Sequence, residues 1–292
     1  MTVTQTHQEI IVFTDTSMFS LQYIGYPLYW GVQPIVNGIT IVGPNSKVVV
    51  DDVVYWIGLG KFYVYDGHAR ELPCSIKDYV FLNANFSQPE KVYGGANISF
   101  NEIWWVYQSV NGTEVDSYII YNYAENLWSY GTLTRTAWID RGLFQYPIAC
   151  GSDGYLYYHE SGYDDGSTNP PSPITASITT SPFEIDQSGH HFIFANRLVP
   201  DVTFRSSPGH QGNQPSVNFT FTPQDYPGAA YSSTASTSNI MRSTTVPVEE
   251  FTDQAWLRLR GRSLVMQVQS NTLGTAWRLG TPRLEIRPDG RR

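Results

Sequence analysis

The sequence predicts an all-β protein in which propeller-like blades of antiparallel strands are followed by a β-sandwich or jelly-roll-like C-terminal region. Three observations predict this class: a hairpin phrase that recurs between Phe19 and His159, an aromatic content of 14% against only 15% charged residues, and period-two alternation near the C-terminus. Aromatic and β-branched side chains suit the pleated, half-buried surface of a sheet. Long periodic stretches of Ala, Leu, Glu and Lys, which would predict helices, are absent.

The recurring phrase joins an apolar strand, a short turn and a second strand rich in aromatic residues. Its four copies begin at aromatic residues 43, 56 and 37 positions apart, and their mean spacing of about 45 is the repeat length of four-stranded propeller blades. A closed propeller has about four to eight blades, so two interpretations stay open: a minimal ring, or a chain that lacks blades. The copies centre on Phe19–Tyr23, Phe62–Asp66, Tyr118–Asn122 and Tyr155–His159.

Residues 9–165 therefore divide into successive hairpins. Asn111-Gly112 lies between two apolar strands and is the strongest short hairpin signal in the chain, and Asp153-Gly154 is of the same kind. The predicted strand pairs are Glu9–Asp15 with Met18–Tyr23, Val53–Ile57 with Lys61–Tyr65, Glu102–Gln108 with Asp116–Tyr123, and Tyr146–Cys150 with Tyr155–His159.

A change of composition predicts two domains. Residues 166–182 are rich in Gly, Pro and Ser and predict a linker between a propeller-like region, residues 1–165, and a sandwich-like domain, residues 183–292. Seven or eight short strands over about 110 residues suit a sandwich or jelly roll. The predicted strands are Phe192–Asn196, Leu198–Phe204, Val217–Thr222, Thr244–Val248, Ala255–Arg260, Ser263–Ser270, Thr275–Leu279 and Arg283–Arg287.

The charge distribution limits the classes of partner. A net charge of −8 argues against general affinity for nucleic acid. The segment Phe251–Arg292 holds eight Arg and three acidic residues, so it carries +5 while the remaining chain carries −13. No signal peptide and no apolar run of about 18 residues, the length that a membrane span needs, is visible. We therefore expect a chain made in a cytoplasm without a membrane span.

The sequence carries no catalytic signature. A nucleophile elbow, a phosphate-binding glycine loop and a His-x-x-x-His pair are all absent. Carboxylates such as Glu102 and Asp140 are present, but nothing in the sequence brings two of them to one glycosidic bond. Cys74 and Cys150 lie far apart without metal-type spacing, which favours two free thiols. We expect no catalytic residues, no cofactor and no metal site, and therefore no enzyme.

An arginine-rich sheet face is the first candidate interaction surface. In Ala255–Arg260 and Arg283–Arg287 aliphatic and polar residues alternate, and Ser263–Ser270 is interpreted as the hairpin partner of the first strand. Period-two alternation places the aliphatic side chains on one face and the arginines on the other. Three interpretations stay open: a solvated face, a subunit interface with acidic neighbours, or a phosphate-contacting surface. The arginine face comprises Arg258, Arg260, Arg283 and Arg287.

The pair Trp104-Trp105 is the second candidate, as a platform for glycans. Neighbours in a strand face opposite sides of a sheet. One ring is therefore expected to pack between blades and the other to face outward, and core packing is the competing interpretation of both.

Several of these segments resemble the tail nozzle or hub proteins of short-tailed (podovirus-type) bacteriophages, also called tail tubular protein B or phage stabilisation protein. The resemblance extends from about His7 to Arg292 and rests on structural phrases. The segments that carry it are Val54–Gly58, Lys61–Gly67, Leu72–Ser75, Phe100–Trp105, Tyr121–Trp128, Gln254–Ser263, Trp277–Gly280 and Pro288–Arg292.

The resemblance implies a structural virion protein that assembles in the host bacterial cytoplasm. Members of that family assemble into a hexameric ring. The ring docks the adaptor and portal-side proteins and the fibres or spikes, and DNA passes through it during ejection. Members of that family are usually longer, which leaves open whether this chain is a fragment or lacks blades. The alternative function is a glycan-binding or glycan-cleaving propeller for host recognition.

Overall fold

The computed structural model describes residues 2–185, 190–204, 207–209, 214–226 and 243–290. Within these ranges strands dominate, and α1 (Lys77–Asn83) is the one α-helix. The prediction of an all-β protein is therefore confirmed. The chain divides into two compact units, Met1–Ser161 and Gly162–Arg292.

The described part of the first unit contains sixteen strands, and all of them pair antiparallel. Short 3-10 turns cover Pro89–Lys91 and Ile98–Phe100. The strands are β1 (Thr2–Gln5), β2 (Ile10–Phe13), β3 (Ser17–Gly25), β4 (Tyr29–Asn37), β5 (Lys47–Val50), β6 (Val53–Ile57), β7 (Phe62–Tyr65), β8 (Ala69–Leu72), β9 (Ala84–Asn85), β10 (Tyr93–Asn97), β11 (Glu102–Ser109), β12 (Ser117–Asn122), β13 (Leu127–Thr132), β14 (Arg135–Ile139), β15 (Ile148–Gly151) and β16 (Leu156–Tyr158).

These strands form four sheets in which the strands follow one another in chain order. Sheet I is β1–β4, sheet II is β5–β8, sheet III is β10–β13 with β9 beside β11, and sheet IV is β14–β16. The four copies of the aromatic phrase fall on the third strand of each sheet, which is β3, β7, β12 and β16. The sequence repeat therefore corresponds to a structural repeat of one sheet.

Sheet II is covered by apolar side chains on both faces. All four residues of β7 are buried, which explains why its sequence is continuously apolar rather than alternating. Phe62 and Val64 join a core cluster with Trp105 of sheet III. Tyr63 and Tyr65 join a second cluster with side chains of sheet I. Sheets I, II and III are thus stacked in that order.

Two adjacent glycines allow sheet III to pack closely on both sides. A Cβ atom on Gly94 would lie 2.6 Å from a methyl carbon of Val48 in β5, and one on Gly95 would lie 2.7 Å from the ring of Trp138 in β14. Real Cβ atoms do not approach so closely, so any larger residue would force the strands apart. The first strands of successive sheets therefore pack side by side, β5 on β10 and β10 on β14.

The second unit has a different topology, in which strands distant in sequence pair. Sheet V has the order β19-β25-β22-β23 and sheet VI the order β24-β20-β27, with two small two-stranded sheets beside them. The strands are β17 (Asp164–Asp165), β18 (Ser172–Pro173), β19 (Ala176–Thr179), β20 (Ile193–Val199), β21 (Val202–Thr203), β22 (Ser216–Gln224), β23 (Thr244–Glu249), β24 (Ala255–Gly261), β25 (Ser263–Ser270), β26 (Arg278–Leu279) and β27 (Arg283–Pro288).

Sheets V and VI contribute to one hydrophobic core. Phe219 and Leu264 of sheet V are fully buried, as is Ile193 of sheet VI, and all three belong to one cluster with Leu257 and Leu259 of β24. Residues 166–182, predicted to be a linker, contain β18 and β19, and β19 is hydrogen bonded to β25 of sheet V.

The predicted hairpin between residues 255–260 and 263–270 is wrong. β24 pairs with β20 in sheet VI, whereas β25 pairs with β22 and β19 in sheet V. The chain passes from one sheet to the other at Gly261, where a Cβ would lie 2.8 Å from Pro223. The absence of a side chain allows this close approach. Leu257 and Leu259 of β24 and Leu264 and Val268 of β25 cover the same core, each strand from its own sheet.

Candidate interaction surfaces

The outward face of sheet VI presents the predicted arginine face. Burial alternates strictly along β24, with Ala255, Leu257 and Leu259 inside. Arg260 of β24 and Arg287 of β27 lie on either side of Phe194 in the central strand. All four predicted arginines are exposed, so the structure brings them to one surface across two edge strands. Arg291 and Arg292, the last arginines of the basic segment, lie outside the described residues.

Two of these arginines are held by neighbours. Arg260 Nε lies 2.6 Å from Asp289 Oδ2, its Nη2 donates to the Asp289 carbonyl at 3.1 Å, and its guanidinium covers the Phe192 ring at 4.1 Å. Arg287 covers the Phe194 ring at 4.9 Å. Such contacts fix the orientation of the guanidinium groups but leave some of their N–H donors exposed to solvent.

Arg258 and Arg283 form no ion pair with any residue that the structure describes. Trp256, two positions before Arg258 on the same face, is 64% exposed. Between the edge strands, Arg197 Nε pairs with Glu285 Oε2 at 2.9 Å. Arginine and tryptophan are the side chains most enriched at the energetic centres of protein interfaces. This face therefore has the composition of an interface.

The two tryptophans of the candidate glycan platform have different environments. Trp105 is fully buried, and its indole Nε1 donates to the Ser46 carbonyl at 3.0 Å. Trp104 is half-buried on the opposite face of β11, and its ring stacks on Trp138 at 5.3 Å and on Tyr118 at 4.9 Å. Trp105 therefore presents no ring surface to solvent, and the ring of Trp104 is already stacked between aromatic neighbours.

Two carboxyl groups are relevant near Trp104: that of Glu102, which is half-buried, and that of Glu160, an exposed residue that contacts Asn97. The Glu102 carboxylate accepts a hydrogen bond from Trp104 Nε1 at 3.0 Å, and Glu160 accepts one from Asn97 Nδ2 at 3.2 Å. Burial raises the pKa of both carboxyl groups, and the nearby charge of Glu160 raises the pKa of Glu102 further. Asn97 is fully buried and its Oδ1 accepts no hydrogen bond from a described residue.

An apolar arm at the tip of the β3–β4 hairpin was not predicted from the sequence. The arm, residues 23–32, contains Tyr26, which is 85% exposed, and Leu28, which is 73% exposed. A visible signal for it exists, because the chain contains no charged side chain between Asp15 and Lys47. Glu160 was likewise not predicted. It lies far beyond Glu102 in the chain, and it comes near Glu102 because it accepts a hydrogen bond from Asn97, the residue opposite Glu102 in sheet III.

Within the described ranges no group of three or more His, Cys, Asp and Glu side chains is arranged to hold a metal ion. None of the helices described is long and apolar enough to cross a membrane.

Neither a protein-family model nor a curated protein sequence matches this chain.

Proposed function

We propose that this chain is a structural subunit of a bacteriophage tail, of the nozzle or hub type. In this proposal it assembles into a ring, a hexamer, at the DNA exit, where it docks adaptor and portal-side proteins and fibres or spikes. DNA passes through the ring without specific binding. The chain acts by assembly and catalyses no reaction.

The observation that carries the proposal is the arginine face of sheet VI. Arg258 and Arg283 lack partners among the described residues, and Arg258 lies two positions from the exposed Trp256 on the same face of β24. The residues outside Phe251–Arg292 carry a charge of −13. Opposite charges on identical subunits favour self-association, because each copy offers both the basic and the acidic surface. A solvated face would not need an exposed indole among its arginines.

The finer fold assignments belong to this proposal. Four successive sheets whose strands follow chain order, three of them with at least four strands, have the topology of propeller blades. Sheets V and VI, which share one core, have the layered arrangement of a β-sandwich. The segments that resemble phage nozzle proteins form much of this framework: Val54–Gly58 and Lys61–Gly67 build the centre of sheet II, and Gln254–Ser263 builds β24.

The charge of the chain agrees with a role as a DNA conduit. Each phosphate that a protein neutralises adds salt-dependent affinity, which would retard DNA that has to pass through. A chain with a net charge of −8, and of −13 outside Phe251–Arg292, is expected to avoid such binding along most of its length. The arginine face is then expected to be covered by a neighbouring subunit rather than to line the channel.

The test is the mass and symmetry of the purified protein, by native mass spectrometry with negative-stain imaging. We expect rings with a central hole, and we expect R258E/R283E to shift the mass to the 32.9 kDa monomer. R141E/R278E makes the same charge change at exposed arginines outside the arginine face and breaks no ion pair among the described residues, so it is the matched control and should leave the rings intact. A wild-type monomer at all concentrations would exclude a self-assembling nozzle.

The alternative is a glycan-binding or glycan-cleaving propeller. The relevant observation is that Glu102 is hydrogen bonded to Trp104 and that the nearby charge of Glu160 raises the pKa of Glu102. A monomer that binds a host polysaccharide, with binding lost in W104A and unchanged in W30A, would favour it. Rings that bind no polysaccharide would exclude it.

A further inference from the structure

The first unit ends in an uncovered apolar sheet face at each end of its stack. In sheet I, Val3, Val12 and Phe19 lie side by side across β1, β2 and β3, and the next outward row contains Leu21 and Val32. None of these side chains belongs to a core cluster, and Val3 and Val32 are more than half exposed. The opposite face of sheet I packs on sheet II.

Sheet IV shows the same feature at the other end. Its inward face carries Trp138, which stacks on sheet III. On its outward face Ile139, Ile148 and Tyr158 lie in one row across β14, β15 and β16, and Leu156 lies in the next. Ile139, Leu156 and Tyr158 are each more than 60% exposed. Stacked repeats normally carry polar outer faces at their ends, and these two ends do not.

The arm extends the apolar surface of sheet I. Its aromatic side chains contact one another, Tyr23 with Trp30 at 5.9 Å and Tyr26 with Tyr29 at 6.1 Å between ring centroids. Seven of its side chains are at least half exposed: Tyr23, Ile24, Tyr26, Leu28, Tyr29, Trp30 and Val32. At 150–250 Å² for each fully exposed aromatic side chain, the four aromatic side chains of the arm alone present roughly 500 Å² of surface.

We propose that the arm and outward face of sheet I in one copy dock on the outward face of sheet IV in a second copy. The area supports a second copy as the occupant, because the aromatic side chains of the arm, with its aliphatic side chains and the outward face of sheet I, approach the roughly 800 Å² per partner that a standard stable protein interface buries. The two faces are both apolar and without formal charge, and every copy carries one of each. Such an apolar patch of this size on a soluble protein marks an interaction site.

The contact joins two different surfaces, so it is heterologous and repeats from copy to copy until the rotation closes a ring. This inference deepens the proposed function and rests on its claim that the chain self-associates. It assigns a second interface, in the first unit, beside the arginine face of the second. β4 and β16 are both outermost strands of their sheets, so strand pairing between copies can accompany the packing of the faces.

The test uses the full chain and two arm positions that lie in solvent. We expect Y26S/L28S to lose the ring species in native mass spectrometry while its circular dichroism and melting temperature match the wild type. The control L59S/L82S removes two exposed apolar side chains from the β6–β7 turn and from α1 of the same unit, away from both proposed faces, and should keep the ring. Rings that persist in Y26S/L28S would overturn this inference and leave the proposed function standing.

A cross-link defines the geometry of the contact. In a C74A/C150A background, chains carrying V32C and chains carrying L156C are mixed and oxidised. We expect a disulfide between a V32C chain and an L156C chain. If this disulfide forms in dimers that do not close into rings, the result supports this inference and excludes the proposed ring. A disulfide between two V32C chains would overturn it in favour of a symmetric arm contact.

Vesicle flotation tests the other occupant of the arm. A wild-type monomer that floats with phosphatidylcholine vesicles through its arm would overturn this inference in favour of membrane binding.

Discussion

The two units solve the same problem, the burial of aromatic and aliphatic side chains between sheets, with opposite connectivity. In the first unit the strands of each sheet follow the chain, so nearly every pairing is local. In the second unit β20 pairs with β24 and β27, which both lie far along the chain, and two consecutive strands, β24 and β25, belong to different sheets. Local pairing leaves a repeating signal in the sequence, and long-range pairing does not.

The outer surfaces differ in the same way. Sheet VI turns arginines outward, whereas the terminal sheets of the first unit turn apolar side chains outward. A charged face is well solvated, whereas an apolar face of this extent is typical of an interaction site. If both faces form subunit contacts as proposed, the first contact depends on charge and the second on apolar burial, so salt is expected to weaken only the first.

The largest effect is expected from Trp105→Ala. This side chain is fully buried between sheets II and III and donates a hydrogen bond to the Ser46 carbonyl. Loss of a buried tryptophan costs about 3–5 kcal/mol through the cavity that it leaves. Urea unfolding measures the change, and Trp30→Ala on the exposed arm is the control, with a change expected within about 0.5 kcal/mol. Equal losses in the two variants would contradict the stacked arrangement.

A smaller loss is expected from Gly95→Ala. The added Cβ would lie 2.7–2.9 Å from three atoms of Trp138, so sheets III and IV would have to separate. Overpacking of this kind costs about 1–3 kcal/mol. Gly142→Ala, where no atom lies within 4 Å of the new Cβ, should leave thermal unfolding unchanged. A Gly95→Ala protein as stable as the wild type would show that sheet IV does not pack on β10.

The contrast between the units also explains what the sequence could predict. The aromatic phrase identified the third strand of each sheet in the first unit, because the local hairpin and the hydrophobic pattern agree there. The same reasoning paired residues 255–260 with residues 263–270, since the two strands nearly adjoin in the chain. Both strands cover one core from opposite sheets, and period-two alternation is identical in the two arrangements, so the pattern alone could not distinguish them.

The candidate surfaces were predictable to a similar extent. The alternation in β24 correctly placed Leu257 and Leu259 inside and Arg258 and Arg260 outside. It could not show that Arg260 is tied to Asp289, because that contact joins β24 to the residue that follows β27. The carboxyl groups of Glu102 and Glu160 come near one another only through the packing of chain segments that are far apart in the sequence. The arm was visible as an uncharged stretch, but an uncharged stretch is equally typical of a core hairpin until its exposure is known.

A third, smaller effect concerns pH. Burial raises the pKa of Glu102 above its usual 4.5, so the folded state holds this proton more tightly than the unfolded state. Its contribution to stability is full below the unfolded pKa and is lost as the pH rises through the folded pKa. Glu102→Gln keeps an acceptor for Trp104 Nε1 without the charge. We therefore expect its melting temperature, relative to the wild type, to increase between about pH 4 and pH 8.

Glu9 provides the opposite case in the same unit. Burial acts to raise the pKa of Glu9, but hydrogen bonds from Ser20, Tyr65 and Gln22 outweigh it and hold the pKa below the usual value. Its stabilisation is present above the unfolded pKa and is lost as the pH falls through the folded pKa. Glu9→Gln should therefore be destabilised at neutral pH and approach the wild type in acid. Parallel pH profiles for the two variants would contradict these assignments.

The smallest effect is expected at the arginine face. The Arg260–Asp289 pair is about half exposed on both sides, and exposed pairs contribute about 0.2–1 kcal/mol, so Asp289→Asn should lower the unfolding free energy by no more than this. Arg258→Gln, which removes no ion pair among the described residues, should not change it. The side chains of Arg258 and Asp289 are therefore not expected to stabilise the fold appreciably. An arginine variant that loses assembly but keeps its melting temperature would assign the arginine face to subunit contact. A large loss of stability in Arg258→Gln would instead make the face part of the fold.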